Sequence, residues 1–207
     1  MIIRPYTEKD KEDVRFICLN SEGPCDLSES SQHFILTTYC DYYLEQEPEN
    51  CFVAADGDDR AVGYVICAED FDQFRACFNR AYLSRFPKYD FKHRLDARAS
   101  VILHEKYKQT YPAHLHIDVL PEYQRKGLGH LLVQTLASHL SFKGVPGVML
   151  TVWTKNTVGR SFYEKYGFTF LEDAYGSAAY GLPLHAEELA DAARPQCVRN
   201  ETSPLEI

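Results

Sequence analysis

Residues His114–His130, with the sequence HLHIDVLPEYQRKGLGH, decide the fold of this chain. The first part alternates polar and aliphatic side chains as a strand does. Pro121 ends that strand, because proline donates no backbone hydrogen bond, and an apolar helical run begins at Leu131. Strand, glycine-containing turn and helix in this order leave free backbone N–H groups at a helix N-terminus, which suits a phosphate or pyrophosphate. Arg125 and Lys126 add positive charge beside it.

The turn contains two glycines, Gly127 and Gly129, at which the backbone can approach an anion without a Cβ atom in the way. A Walker A loop needs four residues between its glycines and then Lys-Ser/Thr, and a dinucleotide loop needs a third glycine where this chain has Leu132. The pattern that fits is Q-x-x-G-x-G, beginning at Gln124. A tight turn that only opens a helix is the plain alternative.

A second informative segment follows the helix. Residues 148–153 form an apolar run typical of a buried strand, and behind it come Asn156, Gly159, Tyr163 and the pair Gly167-Phe168. Together the two segments resemble the GNAT superfamily of acetyl-CoA-dependent N-acetyltransferases, which has Q-x-x-G-x-G in its pyrophosphate loop and a similar spacing of Asn, a small residue, Tyr and Gly-Phe. Gly159 departs from the alanine that is usual there and weakens the helix slightly.

The resemblance implies an α/β (α+β) fold with a mixed, mostly antiparallel central sheet, flanked by helices and splayed where acetyl-CoA enters. It implies acetyl-CoA as co-substrate and no metal. Asn156 is expected to bond the pantetheine arm, although its position equally suits a helix N-cap. The residues expected to contact acetyl-CoA are Ile117, Val119, Gln124, Arg125, Lys126, Gly127, Leu128, Gly129, His130, Asn156 and Tyr163.

The resemblance also gives Tyr163 the role of the general acid that protonates the departing thiolate, with simple packing of its ring as the alternative. A base must take a proton from the attacking amine. His114, His116 and Asp118 share one face of the strand, and we name Asp118 and His116 as the catalytic candidates. Equally, His116 and Asp118 could form a hydrogen-bonded pair that only orders the strand. Backbone N–H groups near Val119 are expected to stabilise the oxyanion.

Residues 69–112 exceed what this fold usually holds between its third and fourth strands. The segment carries nine Lys or Arg against six Asp or Glu and is rich in aromatic residues. Four of them are spaced as one helical face, namely Phe71, Phe74, Phe78 and Tyr82. We therefore expect a helical insert before the fourth strand, which either extends the core or forms a wall over the acceptor pocket.

The insert, together with residues 111–121 and 144–148, looks like the acetyltransferase-like domain at the C-terminus of O-GlcNAcase and its free-standing relatives. Some members of that group have an eroded acetyl-CoA loop and are pseudo-acetyltransferases. Here Gln124, Gly127 and Gly129 are all present, so we expect cofactor binding to survive. Sugar hydrolysis is not expected from 207 residues without a glycosidase domain.

The expected domain organisation is one GNAT domain over residues 1–184 and a polar tail over residues 185–207. Within the tail, a short helix is expected at 187–193. The other expected elements are a strand at 2–6, a loop at 22–31, a helix at 32–45, a hairpin of strands at 51–55 and 61–67, and closing strands at 168–171 and 178–184.

Composition limits the partners and the compartment. A net charge of −8 disfavours nucleic acid as a general partner, and no apolar run approaches the length of a membrane span. The seven cysteines are scattered without a CxxC pair, which favours reduced thiols in the cytoplasm or nucleus over a disulfide framework or a zinc site. An edge strand in the C-terminal pair could support a homodimer.

These observations predict an enzyme that transfers an acetyl group from acetyl-CoA to a primary amine by direct attack. The acceptor, a protein lysine or a small amine, is left open. The competing hypothesis is a catalytically inactive CoA-binding or protein-interaction module, and a cavity plugged by the aromatic insert would favour it.

Overall fold

A computed structural model describes residues 1–23 and 26–184. Seven strands form one sheet in the order β1-β2-β3-β4-β5-β7-β6. Neighbouring strands are antiparallel except for β4 and β5, which are parallel. The strands are β1 Ile2–Pro5, β2 Cys51–Ala55, β3 Ala61–Ala68, β4 Ala113–Val119, β5 Gly147–Trp153, β6 Thr169–Ala174 and β7 Ser177–Pro183.

Helices cover both faces of this sheet. The α-helices of the described residues are α1 Lys11–Asn20, α2 Glu29–Tyr39, α3 Asp41–Gln46, α4 Phe71–Cys77, α5 Phe91–Ala99, α6 Ile102–Tyr107, α7 Leu128–Phe142 and α8 Thr157–Tyr166. One core lies between the sheet and helices α1 to α5, and the other lies between the sheet and helices α7 and α8. The expected mixed, mostly antiparallel sheet flanked by helices is therefore what the structure has.

Strands β4 and β5 separate soon after they begin. Their pairing is confined to Ala113 with Val148 and His114 with Met149, whereas β4 pairs with β3 from His114 to Val119. Beyond the second pair, the sheet opens into a wedge. The backbone groups of β4 that point toward β5 are therefore left without strand partners inside the wedge.

Residues 69–112 extend the core on one face of the sheet. Helix α4 continues into a π-helical turn, Phe78–Tyr82, and a 3₁₀ turn, Leu83–Arg85, before α5 and α6. The four aromatic side chains expected on one helical face are all buried. They pack with α1 to α3 in a single apolar cluster, which accounts for the high aromatic content of this segment.

Two expected boundaries are wrong. The helix expected at 32–45 is two helices, because the backbone breaks at Cys40, where φ is −133° and ψ is −62°. The loop expected at 22–31 ends earlier, since Ser28 caps α2 by accepting a hydrogen bond from the Ser31 N–H at 3.2 Å. The helix expected at 187–193 lies outside the described residues.

The remaining expected strands differ from the observed ones by no more than three residues at either end. Over residues 1–23 and 26–184, none of the helices has the length and apolar character needed to cross a membrane.

Candidate active site

The wedge between β4 and β5 opens into a cavity of about 700 Å³. Its walls come from the end of β4, the turn before α7 with the first turn of that helix, one side of α8 and the turn at Ser21–Glu22 that follows α1. None of residues 69–112 contributes to these walls. The aromatic segment therefore does not plug the cavity.

The turn before α7 forms the end of the cavity suited to an anion. Arg125 and Gly127 both have left-handed backbones, with φ of 61° and 83°. The Leu131 N–H bonds to the Gly127 carbonyl at 3.2 Å, so the amides that precede it lack intrahelical acceptors. Free amides and the positive end of the α7 dipole favour a phosphate here.

The cationic side chains of this turn do not all face the cavity. Arg125 and His130 line it, whereas Lys126 is absent from its walls. The Lys126 ammonium lies 5.2 Å from the centre of the Tyr123 ring instead. Arg125 and His130 are therefore better placed than Lys126 to meet phosphate oxygens.

Gly129 lies at a close contact between two helices. A Cβ atom at Gly129 would lie 3.2 Å from Cζ of Phe162 on α8, which is tighter than ordinary van der Waals contact. This glycine lets α7 and α8 approach closely, a reason the sequence could not reveal. At Gly127 a Cβ atom would meet nothing within 4 Å, and the positive φ is what favours glycine.

The Gln124 side chain is used inside the protein. Its Nε2 donates to the Ser21 carbonyl at 2.9 Å and to the Val119 carbonyl at 2.8 Å. The side-chain amide therefore joins the turn after α1 to the end of β4. Its donors point to these two carbonyl groups, although Gln124 also lines the cavity.

The end of β4 presents backbone amides to the wedge. The Leu120 N–H bonds to the Val62 carbonyl on β3 at 3.0 Å. Because successive residues of a strand direct their backbone groups to opposite sides, the amides of Ile117 and Val119 point away from β3, toward the gap. These are donors of the kind that a developing oxyanion needs.

Asp118 lies on the cavity wall beside Tyr64. The Tyr64 hydroxyl donates to Oδ2 of Asp118 at 2.6 Å, directly across the β3–β4 pair. Burial raises the pKa of Asp118 to about 6, opposed by hydrogen bonds from Tyr64 and Ser21 and aided by the negative charge of Glu22. A carboxyl group with this pKa is largely ionised at pH 7 and can accept a proton.

Tyr163, on α8, lines the same cavity as Asp118. Burial raises the pKa of its hydroxyl well above the usual value, and the charge of Asp118 adds to the effect. The hydroxyl therefore stays protonated at neutral pH and is available to donate. The fold brings Asp118 and Tyr163 to one cavity from two elements far apart in sequence.

His116 is directed elsewhere. Its ring packs edge-on against Tyr39 and Tyr43, with both pairs of ring centres 5.2 Å apart, and it is not part of the cavity wall. Burial lowers the pKa of His116 to about 3. The alternative expectation is a hydrogen bond between His116 and Asp118. In the structure the Asp118 carboxyl group accepts a hydrogen bond from Tyr64 instead.

Asn156 begins α8 beside the cavity, and of its two expected roles the structure shows the N-cap. Its Oδ1 accepts a hydrogen bond from the Gly159 N–H at 2.8 Å, which makes it the N-cap of α8, and it also lines the cavity. A Cβ atom at Gly159 would lie 3.1 Å from the Asn156 side-chain amide. Alanine at this position would therefore require a shift of a few tenths of an ångström in the Asn156 side chain.

Sequence reasoning missed Ser21, Glu22, Tyr64 and Phe162. Ser21 and Glu22 lie in a segment that the sequence indicates only as a loop, and Tyr64 reads as an ordinary strand residue. Each reaches the site through contacts with residues far away in the chain, so no local pattern could have identified them.

A splayed sheet with a pyrophosphate-type turn at the mouth of the wedge defines the class as an acyl-CoA-dependent transferase. The chain matches the model of the Acetyltransferase (GNAT) family over residues 18–168. It belongs to this family, whose co-substrate is acetyl-CoA, and the predicted GNAT fold is confirmed.

Solved structures agree with this assignment. SsHAT is 28% identical with a TM-score of 0.77, and the match covers 88% of this chain and 98% of that one. The PaiA N-acetyltransferase of Thermoplasma acidophilum, solved in complex with coenzyme A, is 18% identical with a TM-score of 0.57, covering 88% and 98%. A polyamine N-acetyltransferase of Drosophila melanogaster, which catalyses the formation of N-acetylagmatine, is 16% identical with a TM-score of 0.60, covering 88% and 99%. The last two show likeness of fold alone.

Proposed function

We propose that this protein transfers the acetyl group of acetyl-CoA directly to the nitrogen of a primary amine. The observation that carries the proposal is the pair of titratable side chains on the wall of one cavity, Asp118 from β4 and Tyr163 from α8. One is suited to accept a proton and the other to donate one. The Drosophila structure named as a polyamine N-acetyltransferase that forms N-acetylagmatine supports an amine as the acceptor class.

The residues present fit acetyl-CoA. Gly127 keeps the approach to the α7 N-terminus open, where unpaired amides and Arg125 and His130 suit the pyrophosphate. The cavity leads from this end to the wedge between β4 and β5. Acetyl-CoA supplies the thioester whose carbonyl carbon is attacked. Asn156, on the same wall, is a candidate to bond the pantetheine arm.

The proposed steps follow from the groups that line the cavity. Asp118 takes the proton that the ammonium must lose before its nitrogen can attack. The amides of Ile117 and Val119 donate to the carbonyl oxygen as it gains negative charge. Tyr163 gives its phenolic proton to the sulfur as the carbon–sulfur bond breaks, and the resulting phenolate takes the second proton that the nitrogen loses as it becomes an amide. His116, with its depressed pKa and its place outside the cavity wall, is a weaker candidate for the base than Asp118.

Calorimetry with acetyl-CoA on the full chain tests the binding half of this proposal. Gly127→Trp fills the approach to the α7 N-terminus and is expected to abolish binding. Gly144→Trp is the matched control, because Gly144 lies just beyond the other end of α7 and has the same kind of backbone, with φ of 78° and no atom within 4 Å of a Cβ.

Release of free thiol from acetyl-CoA in the presence of primary amines tests the catalytic half. Amine-dependent release by the wild type supports the proposal. A folded wild type that binds no acetyl-CoA would contradict it, as would equal loss of binding in the Gly127 and Gly144 variants. Binding without transfer to any amine would instead favour a CoA-binding module without catalysis.

A further inference from the structure

The Gln124 side chain fixes one wall of the cavity to another. The same Nε2 bonds to the carbonyl groups of Ser21 and Val119, at 2.9 and 2.8 Å. Gln124 and Ser21 are 103 residues apart in the chain. The turn after α1 is thereby attached to the end of β4 directly beside Asp118.

The turn held in this way carries Glu22 on its cavity side. Glu22 lines the cavity together with Asp118, and its negative charge is close enough to raise the pKa of Asp118. The turn is also closed on itself, since the Gly23 N–H bonds to the Asn20 carbonyl at 2.9 Å. Glu22 therefore places a carboxylate on the cavity wall near the proposed base.

The charges on the cavity wall are separated by element. Within the described part of the chain, Glu22 and Asp118 are the two carboxylates that line the cavity. Its basic side chains are Arg125 from the turn before α7, His130 from the first turn of α7 and Lys165 from α8. The cavity thus has cations on the side suited to phosphate, and a second negative charge beside the base.

Asp118 loses its negative charge when it takes a proton, whereas Glu22 takes no part in the proton transfer. An acceptor with one nitrogen would lose its attraction to this wall once it is deprotonated. An acceptor with a second cationic group keeps one positive charge for Glu22 while its neutral nitrogen attacks.

We propose that Glu22 selects acceptors that carry a second positive charge near the reacting amine, and that Gln124 is the positioning residue that holds Glu22 beside Asp118. The inference rests on the proposed amine acetylation and deepens it, because it names the acceptor class as dicationic amines.

The first test compares kcat/KM for 1,4-diaminobutane with that for n-butylamine, two amines of equal chain length. The wild type is expected to prefer the diamine about fivefold at low salt, the size of an exposed ion pair, and the preference should shrink as salt rises. Glu22→Gln should remove it. Glu122→Gln, a surface carboxylate outside the cavity wall, is the control and should keep it.

The second test is Gln124→Met, which keeps the length of the side chain and removes both hydrogen bonds. We expect kcat/KM for the diamine to fall about fivefold relative to that for n-butylamine, so that the preference is lost. Because the preference is a ratio of two values measured on one enzyme, a change in acetyl-CoA binding affects both amines alike and cancels. A general loss of structure would instead lower kcat/KM for both amines together and keep the preference.

The outcomes separate the two proposals. Failure to bind acetyl-CoA contradicts the proposed function itself. Three results would overturn the role given to Glu22. They are equal kcat/KM for the two amines in the wild type, a preference for the diamine that survives Glu22→Gln, and transfer to neither amine. Gln124→Met behaving as the wild type overturns the role given to Gln124.

Discussion

Asp118 holds its carboxyl group between the Tyr64 hydroxyl and the cavity, so its ionisation is linked to both activity and stability. With a pKa of about 6, the proposed base is ionised at pH 7 and is lost as the pH falls through 6. We expect kcat/KM to fall about tenfold for each pH unit below 6. Asp118→Asn should remove this step and leave only the titration of the amine itself. A profile that keeps the step in the variant would exclude Asp118 as the base.

Removing the charge of Asp118 is also expected to raise the free energy of unfolding. The folded-state pKa of Asp118 lies above the usual 3.8, so its contribution to stability is present at low pH and is lost as the pH rises from about 4 to 6. Asp118→Asn should therefore raise the free energy of unfolding at pH 8 by about 1–2 kcal/mol. Urea unfolding at pH 8 and at pH 4 measures it; an equal change at both pH values would contradict the linkage.

Tyr163 is the other proposed reacting side chain. Tyr163→Phe removes only the hydroxyl, so kcat is expected to fall about 10- to 100-fold while the affinity for acetyl-CoA changes little. Steady-state kinetics and calorimetry measure the two effects. Tyr175→Phe, in an exposed turn, is the control for loss of a phenol. Unchanged kcat in Tyr163→Phe would mean that the ring only packs against its neighbours.

At the scale of elements, Tyr111 holds the β5–β7 pair against the segment that leads into β4. Its ring lies over two glycines, where an added Cβ atom would be 2.7 Å away at Gly147 and closer still at Gly181. These are contacts that real Cβ atoms do not make, so both strands need glycine at this point. The far side of the sheet is thereby fixed relative to β4, from which the wedge opens.

Gly181→Ala is therefore expected to lower the free energy of unfolding by about 1–3 kcal/mol through overpacking. In a Tyr111→Leu background the same substitution should cost clearly less, because the ring that it collides with is gone. Chemical denaturation of the four proteins in this cycle gives the coupling energy. Additive effects would show that the collision with Tyr111 is not the cause.

At the scale of the whole molecule, a buried histidine pair joins residues 69–112 to the sheet. His104 on α6 and His114 on β4 are 3% and 1% exposed, and their ring centres are 4.8 Å apart. Their ring nitrogens have no hydrogen-bond partner within the described ranges. Aromatic rings surround the pair, from Tyr43, Phe71 and Phe74.

Burial lowers the pKa of His104 to about 4, so the folded state binds this proton less readily than the unfolded state does. Its contribution to stability is complete above about pH 6.5 and is lost as the pH falls from there toward 4. In His104→Leu, the decrease in the free energy of unfolding between pH 7 and pH 4 should be smaller by about 2–3 kcal/mol. Urea unfolding between pH 7 and pH 4 measures the slope; identical slopes for wild type and variant would contradict the prediction.

Local patterns predicted the parts of the protein that are local. The alternation in β4, the turn at Gln124–Gly129 and the segment from Asn156 to Phe168 predicted a strand, an anion-binding helix start and a second helix with its cap. Short-range sterics and backbone hydrogen bonding decide such features, so they can be read from neighbouring residues. They also predicted that Asp118 and Tyr163 belong to the site. The resemblance to the O-GlcNAcase domain and the homodimer stay predictions.

Contacts between distant residues decided the rest. The bond from Tyr64 to Asp118, the attachment of Ser21 by Gln124 and the packing of Phe162 on Gly129 each join elements far apart in the chain. Because His116 shares a strand face with Asp118, the sequence predicts that it lies in the site. In the structure its ring packs among tyrosines instead. A strand sequence determines which face a side chain takes, whereas the packing of distant elements against that face determines what the side chain meets. The sequence by itself thus determined the family and the two sides of β4, and it predicts which turn meets the cofactor. Only the tertiary structure decided which polar groups share the cavity, because burial and charge there depend on the approach of other elements.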